Sequence, residues 1–300
     1  MYTILGIGEL LWDMLPEGAR LGGAPANYGV MAGRLGNRAG ILSRIGLDAL
    51  GDDALHALKV FPVDCGRLQL DPEYPTGTVT VKFEQGQPSY TIHQPAAWDF
   101  FEPTEAWLDG AARADAVCFG SLAQRGERSR RTIHALVRAT RPECRRIFDV
   151  NLRAPFYSAE IVRESLKLAT VMKMNDAELP LVLGLVGLGA AASLREGAER
   201  LLVEFAGLTL VAITRGGEGS LLVGRTEWHE HPGISTRVAD TIGAGDAFAA
   251  AMTHYLLRGA PLATLNEAGN RWGSFVASQA GAMPEIGSEV LRRISREIES

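Results

Sequence analysis

From Pro103 to the C-terminus the chain alternates short apolar runs with amphipathic stretches, and this alternation constrains the fold more than any other feature. The pattern predicts helices over Thr104–Ala114, Glu127–Thr140, Ala159–Leu168 and Ser193–Phe205. Strands are predicted over Ala116–Phe119, Arg146–Val150, Thr170–Lys173, Thr209–Thr214 and Ser220–Val223. Gly243–Arg258, Leu262–Ala280 and Glu289–Ser300 read as closing helices. Strand–helix repetition places a crossover after each strand, which implies an α/β fold with a mostly parallel sheet covered by helices on both faces.

The N-terminal third adds a second kind of strand. Tyr2–Gly8 reads as a buried strand, Gly22 and Gly23 turn into a helix that stops at Gly36, and Pro25 sits where a first helical turn prefers it. Ala39–Ile45 reads as one strand, and Asp48 as the cap of a helix over Ala49–Val60. Thr76–Phe83 and Ser89–His93 alternate apolar and polar residues about a turn at Glu84–Pro88. A period-two hairpin of this kind belongs to a different sheet from fully buried strands. It reads as a small β lid, built from about residues 9–21 and 76–99 and inserted in a single domain of residues 1–300.

Composition excludes several classes. The chain is 46% hydrophobic, enough for a sizeable core, and its net charge of −5 argues against a nucleic-acid partner. The arginines of Arg125–Arg131 read as a solvated helix face. Cys65, Cys118 and Cys144 show no metal-ligand spacing, which suits a reduced, cytoplasmic compartment. No basic region precedes the first apolar run, and the greasy stretch Leu179–Leu194 is Gly-rich and contains Pro180, so neither a signal peptide nor a membrane span is expected. A Walker A loop is absent. Gly187–Ala192 fits G-x-G-x-x-A but lacks a preceding strand and a later acidic residue, so a dinucleotide fold is not expected.

The chemistry gathers at Asp240–Met252. Gly243, Ala244 and Gly245 cannot shield their backbone, and an Ala-rich helix follows at once. A helix tip of this kind presents unpaired N–H groups and binds anions, phosphate above all. Asp246 in the first turn either caps the helix or acts as a base beside the bound anion, the arrangement phosphoryl transfer uses. Further polar residues follow the strands: Asp13, the set Asp149, Asn151 and Arg153, then Lys173, Asn175 and Glu178, then Thr214, Arg215, Gly216 and Gly217. Ligands in α/β sheets bind beyond the carboxyl ends of strands, so these groups converge on one rim.

The stretch Asp240-Thr241-Ile242-Gly243-Ala244-Gly245-Asp246 resembles the C-terminal signature of the PfkB (ribokinase-like) carbohydrate kinase family, and the resemblance runs from Gly8 to about Pro284. It implies the three-layer ribokinase-like fold and transfer of phosphate from ATP to a sugar. Gly22, Gly23 and Asn27 resemble the family's N-terminal Gly-Gly-x-x-x-Asn element, and Asp13 its acidic sugar ligand. Asn151 and Arg153 match Asp-x-Asn-x-Arg and would face substrate and phosphates, with Asp149 bracing the loop. Asn175 and Glu178 match Asn-x-x-Glu, whose carboxylate helps hold Mg²⁺ through water. Thr214, Arg215, Gly216, Gly217 and Gly219 resemble the nucleotide loop and Asn270 the adenine wall, with Lys173 on the nucleotide side too. Backbone oxygens near Asp240 and Ile242 bind K⁺ in many relatives. Ile242 replaces the commoner Thr of the family motif.

The resemblance implies Asp246 as catalytic base, with the N–H groups of Gly243, Ala244 and Gly245 facing the γ-phosphate. The region around Glu9–Asp13, Pro25-Ala26-Asn27 and Ala96–Asp99 is most similar to bacterial fructokinases; ribose, 2-keto-3-deoxygluconate and nucleosides stand as alternatives. Trp98 either stacks on a sugar or fills the lid core, and Glu9 is either a site carboxylate or a strand-end residue. A non-catalytic sugar or nucleoside sensor is the contrasting class; Asp246 and Glu178 together speak against it. The lid's apolar face points to a homodimer.

Overall fold

The structure, a computed structural model, describes residues 1–84 and 87–299. The N-terminal part contains β1 (Thr3–Ile7), β2 (Leu11–Leu15), β3 (Gly18–Gly22), α1 (Ala24–Arg34), β4 (Arg38–Leu42), β5 (Arg44–Gly46), α2 (Ala49–Leu58), β6 (Val63–Asp64), β7 (Gln69–Asp71), β8 (Gly77–Glu84) and β9 (Gln87–Ile92). There follow α3 (Glu105–Arg113), β10 (Ala116–Gly120), α4 (Glu127–Ala139), β11 (Arg145–Asp149), α5 (Ala159–Leu168), β12 (Val171–Asn175), α6 (Glu178–Leu185) and α7 (Leu194–Glu204). The remainder comprises β13 (Leu210–Thr214), β14 (Ser220–Gly224), β15 (Trp228–His231), α8 (Ala244–Leu256), α9 (Leu262–Ala277) and α10 (Ser288–Glu299).

Nine strands form the main sheet in the order β15-β14-β13-β12-β11-β10-β1-β4-β6. Pairing is parallel from β13 to β6 and antiparallel at β14 and β15. Successive residues of a strand point to opposite faces, and the core divides accordingly. Val117, Phe119, Phe148 and Met172 pack with helices α3 to α7. Ala116, Cys118, Ile147 and Val171 pack with α1, α8, α9 and α10. Each buried Val, Ile, Phe or Met among them contributes roughly 1.5–3 kcal/mol by leaving water. This two-sided burial explains why the strands read as continuous apolar runs.

A four-stranded sheet, β3-β2-β8-β9, stands apart from the main one. The hairpin of β8 and β9 is the one the period-two pattern predicts; part of its turn lies outside the described residues. β2 joins β8 in parallel and β3 antiparallel. Among the described side chains of this sheet, Met14 is the exposed large apolar one.

The structure departs from the sequence reading at several points. Ala39–Ile45 is two strands: β4 stays in the main sheet, and β5 pairs β7 in a separate ribbon. Arg125 is not on a solvated face. Its side chain is only 6% exposed, it grips Asp99 with two nitrogens at 2.8 and 2.9 Å, and its guanidinium lies 3.9 Å from the Trp98 ring centre. The apolar stretch after Asn175 becomes α6, whose Leu179 and Leu183 press on Gly197 of α7. Gly187 and Gly189 fall in the loop between these helices with φ of 71° and 69°, so no strand feeds the G-x-G-x-x-A segment. Among the described residues no helix is long and apolar enough to cross a membrane.

Candidate active site

The parallel strands end on one rim, and α8 begins there. Gly243 is its N-cap with φ 79°, a left-handed conformation that disfavours any residue with a Cβ. A Cβ at Gly243 would lie 2.6 Å from Ala282 Cα, and one at Gly245 would lie 2.7 Å from Lys173 Nζ. Gly243 is therefore required by the backbone beside it, whereas a side chain at Gly245 would have to displace the Lys173 ammonium. Among the described residues, no acceptor meets the N–H groups of Gly243, Gly245 and Asp246, whereas that of Ala244 bonds to Thr241 O at 3.3 Å. The helix dipole adds partial positive charge at this tip.

Asp246 lies in the first turn and is 7% exposed. Asn27, carried in by α1, donates its Nδ2 to Asp246 Oδ2 at 2.7 Å. α1 reaches this position because Gly23 (φ 109°) passes so close to Glu9 that a Cβ would sit 2.3 Å from Glu9 O. Burial raises the Asp246 carboxyl above its ordinary value, while Lys173, the Asn27 hydrogen bond and Arg153 pull it back. Lys173 lies behind Gly245 and pairs with Asp149 at 3.1 and 3.2 Å. Burial alone would lower the Lys173 ammonium; Asp149 and Asp246 outweigh it and raise it. Burial likewise pushes Asp149 up against the pull of Lys173.

Glu9 follows β1 and lies within electrostatic reach of Asp246. It is 3% exposed, and among the described residues its Oε2 has no hydrogen-bond partner. Burial first, and Asp246 further down the order of causes, raise its pKa to about 7; nearby backbone N–H groups and Arg153 act in the opposite sense. A carboxyl whose pKa is higher in the folded chain than in the unfolded one stabilises the fold when protonated. That stability is fully present below about pH 4.5 and is lost as pH rises through about 7. Glu9→Gln, which holds no titratable proton, is expected to flatten the profile by on the order of 3 kcal/mol over this window. Denaturant titrations of both proteins at pH 5 and pH 8 check this; parallel losses in the two would refute it.

The other sequence-derived residues divide into those that face the rim and those held elsewhere. Asp13 on β2 is half-buried; Gly22, which pairs Leu11 two residues before it, leaves room for it, since a Cβ there would lie 2.9 Å from Asp13 Oδ2. Burial first, then Asp240, raise the Asp13 pKa to about 6, with Arg153 opposing. Arg153 is exposed and lies within electrostatic reach of Glu9, Asp13 and Asp246. Asn151 has φ 40°, the one positive value at a non-glycine among the described residues, and Asn tolerates it best. Asn175 and Glu178 form a reciprocal cap at 2.8 and 2.9 Å, and Glu178 also accepts the Leu152 N–H at 2.7 Å.

Asp240 accepts from Ile242 N at 2.9 Å and from Gly281 N at 3.1 Å. Thr214, Gly216 and Gly217 end β13, and Gly219 (φ 83°) packs so tightly that a Cβ would meet His231 O at 2.0 Å. Arg215 turns away to Glu230 and His231 O on β15. Asn270 is buried and commits its Nδ2 to Ser220 Oγ at 2.7 Å and Asn266 O at 2.8 Å. Of the two readings of Trp98, its burial favours the core one. It is fully buried, Arg125 covers its ring, and Gly77 lies where any Cβ would be 2.2 Å from its Nε1. Arg20, which donates to Asp240 Oδ2 at 3.2 Å, escaped sequence reasoning because nothing in Gly18–Gly22 alternates strongly enough to mark a strand.

Comparison with known proteins bears on what this arrangement does. An uncharacterized sugar kinase of Pyrococcus horikoshii is 30% identical over 298 residues, covering 93% of this chain and 91% of that protein. Its structure in complex with ATP gives a TM-score of 0.81 at 28% identity, covering 98% of this chain and 99% of the other. A fructokinase of Escherichia coli is 31% identical over 261 residues, with 82% of this chain and 81% of the relative covered. The fructokinase of Vibrio cholerae O395 in its fructose, ADP and calcium ion bound form gives a TM-score of 0.82 at 25% identity, covering 98% and 99%. The sequence pattern of the pfkB family carbohydrate kinases matches residues 18–287, a span that takes in Asn27, Lys173, Glu178 and the Gly243–Asp246 tip. A family pattern that spans most of a chain folded on this nine-stranded α/β sheet shows that the chain belongs to the pfkB family of carbohydrate kinases.

Proposed function

We propose that the protein transfers the γ-phosphoryl group of ATP to a primary hydroxyl of a monosaccharide, with fructose as the preferred acceptor. One observation carries this reading: the buried Asp246 carboxylate stands beside backbone N–H groups that have no acceptor among the described residues. Likeness to fructokinases supports fructose.

In this reading the acceptor hydroxyl gives its proton to Asp246, and its oxygen forms the new bond to phosphorus. The bond from the γ-phosphorus to its bridging oxygen breaks, and the electron pair leaves with ADP. Gly243 and Gly245 present N–H groups to the transferring charge, and the Ala244 N–H contributes when its long bond to Thr241 O opens. Asp13, Gly23 and Asn27 hold the sugar; the buried Asn27 Oδ1 has no partner among the described residues and would accept from a sugar hydroxyl. The small sheet closes over the sugar as a lid, so that water does not compete for the phosphoryl group.

Among the described residues no cluster of three His, Cys, Asp or Glu side chains could cage a metal. Glu178, anchored by two backbone N–H groups, fits a hydrated Mg²⁺ instead, since Mg²⁺ keeps most of its waters. Such an ion supplies positive charge to the phosphate oxygens. The carbonyls of Asp240 and Ile242 suit K⁺, because the Asp240 carboxylate is already taken by N–H donors and holds that turn in shape.

ADP release measured over a panel of hexoses, pentoses, keto-sugar acids and nucleosides tests the reading, with ³¹P spectra identifying the product. Fructose is expected to give the highest kcat/KM. A higher value for a pentose or nucleoside would displace fructose, and absence of any phosphorylated product would overturn the site assignment.

A further inference from the structure

We infer that Arg20 is a positioning residue that couples the sugar side of the site to the phosphate side; the inference rests on the function proposed above. Arg20 sits on β3 directly opposite Asp13 of β2. Its Nη1 reaches out of the small sheet to Asp240 Oδ2 at 3.2 Å. Among the described side chains this is the only ion pair that leaves that sheet. The same carboxylate accepts the N–H groups of Ile242 and Gly281. The stem of Arg20 lies along the second of these segments, since a Cβ on Gly281 would be 3.6 Å from Arg20 Cδ.

These contacts form a short path. Asp13 and Arg20 share one cross-strand position, so a ligand that holds the Asp13 carboxylate also holds the backbone from which Arg20 extends. Arg20 fixes Asp240, and Asp240 fixes Ile242, the residue before the left-handed cap Gly243. Asp240 also fixes Gly281, whose neighbour Ala282 is the wall against which Gly243 packs. The glycine cradle is thus held from both its own turn and the small sheet. Sugar bound at Asp13 keeps Arg20 on Asp240 and so keeps the cradle N–H groups aimed at the phosphate. A coupling of this kind is reciprocal: nucleotide must tighten sugar binding by the same factor.

A merely structural tether would predict something different. Arg20 and Asp240 side chains are 38% and 18% exposed, and an ion pair open to solvent adds little to stability. Arg20→Met therefore leaves a folded protein, and its effect should appear in the linkage between ligands.

The test measures MgADP affinity by calorimetry with and without the sugar that the wild-type enzyme phosphorylates best, in wild type, Arg20→Met and Arg20→Lys. In wild type the sugar is expected to tighten MgADP by about five-fold or more. In Arg20→Met the factor should fall towards one, while sugar affinity measured alone stays within about two-fold, and Arg20→Lys should recover part of it. Hydrogen exchange on the ligand-free proteins should show the Ile242 and Gly281 amides opening faster in Arg20→Met. An unchanged coupling factor, its absence from wild type, or unchanged exchange at these two amides would each overturn the inference. Failure of the proposed function looks different: wild type would form no phosphorylated product from any sugar. The exchange comparison would still decide whether Arg20 holds the turn.

Discussion

Asp246→Asn is expected to lower kcat by about 10²–10⁴-fold while the affinity for sugar changes little, because an amide cannot take the hydroxyl proton. The substitution is close to isosteric, and the carbonyl oxygen of the introduced amide would still accept the 2.7 Å hydrogen bond from Asn27. Binding geometry is therefore preserved and the loss falls on the chemical step. The pH dependence adds a second signature. Burial lifts the Asp246 carboxyl above its ordinary 3.8, so wild-type kcat/KM should decline as pH falls through this raised value. The residual activity of the variant should lack that decline. Steady-state kinetics from pH 4.5 to 8 measure both, and near wild-type turnover in Asp246→Asn would remove the residue from the role of base.

Lys173→Met should be the most damaging substitution for the fold. Its ammonium is the partner of the buried Asp149 carboxylate, and removing one member of a buried pair leaves an uncompensated charge, at a cost of about 3–5 kcal/mol. Adding Asp149→Asn removes that charge, so the double variant should regain much of the loss in denaturant titrations. Activity should not return with it. Lys173 is the leading influence that holds the Asp246 pKa down against burial, so without it Asp246 accepts its proton at higher pH. The acid limb of kcat/KM in the double variant should move upward relative to wild type. A double variant no more stable than the single one, or an unmoved acid limb, would separate Lys173 from these two tasks.

Much of the architecture could be read from residue order because two-sided burial leaves a strong trace. Val171–Asn175 and Leu210–Thr214 are runs of apolar residues that end in polar ones, and the ends fall on one rim as parallel pairing requires. What escaped has equally physical causes. β15 is Trp-His-Glu-His, polar and short, and is a strand only because β14 offers it an edge. α6 is apolar on nearly every side, so periodicity could not distinguish it from a strand or a loop. The break at Ser43 that ends β4 depends on a partner, β7, more than twenty residues away. In the site, residue types pointed to Asp246, Asn27 and Glu178, but which groups share a burial pocket was not legible. Glu9 and Trp98 are both enclosed, and enclosure by distant segments has no local signature in the sequence.

The rim is rich in acids: Glu9, Asp13 and Asp246 are each within electrostatic reach of Arg153, and Asp240 pairs with Arg20. A free sugar is neutral and crosses such a threshold without electrostatic resistance. In the proposed reading the same molecule leaves as a phosphate ester bearing close to two negative charges, and every ionised carboxylate near it repels it. The groups proposed to accept from its hydroxyls on arrival would thereby favour its departure after transfer.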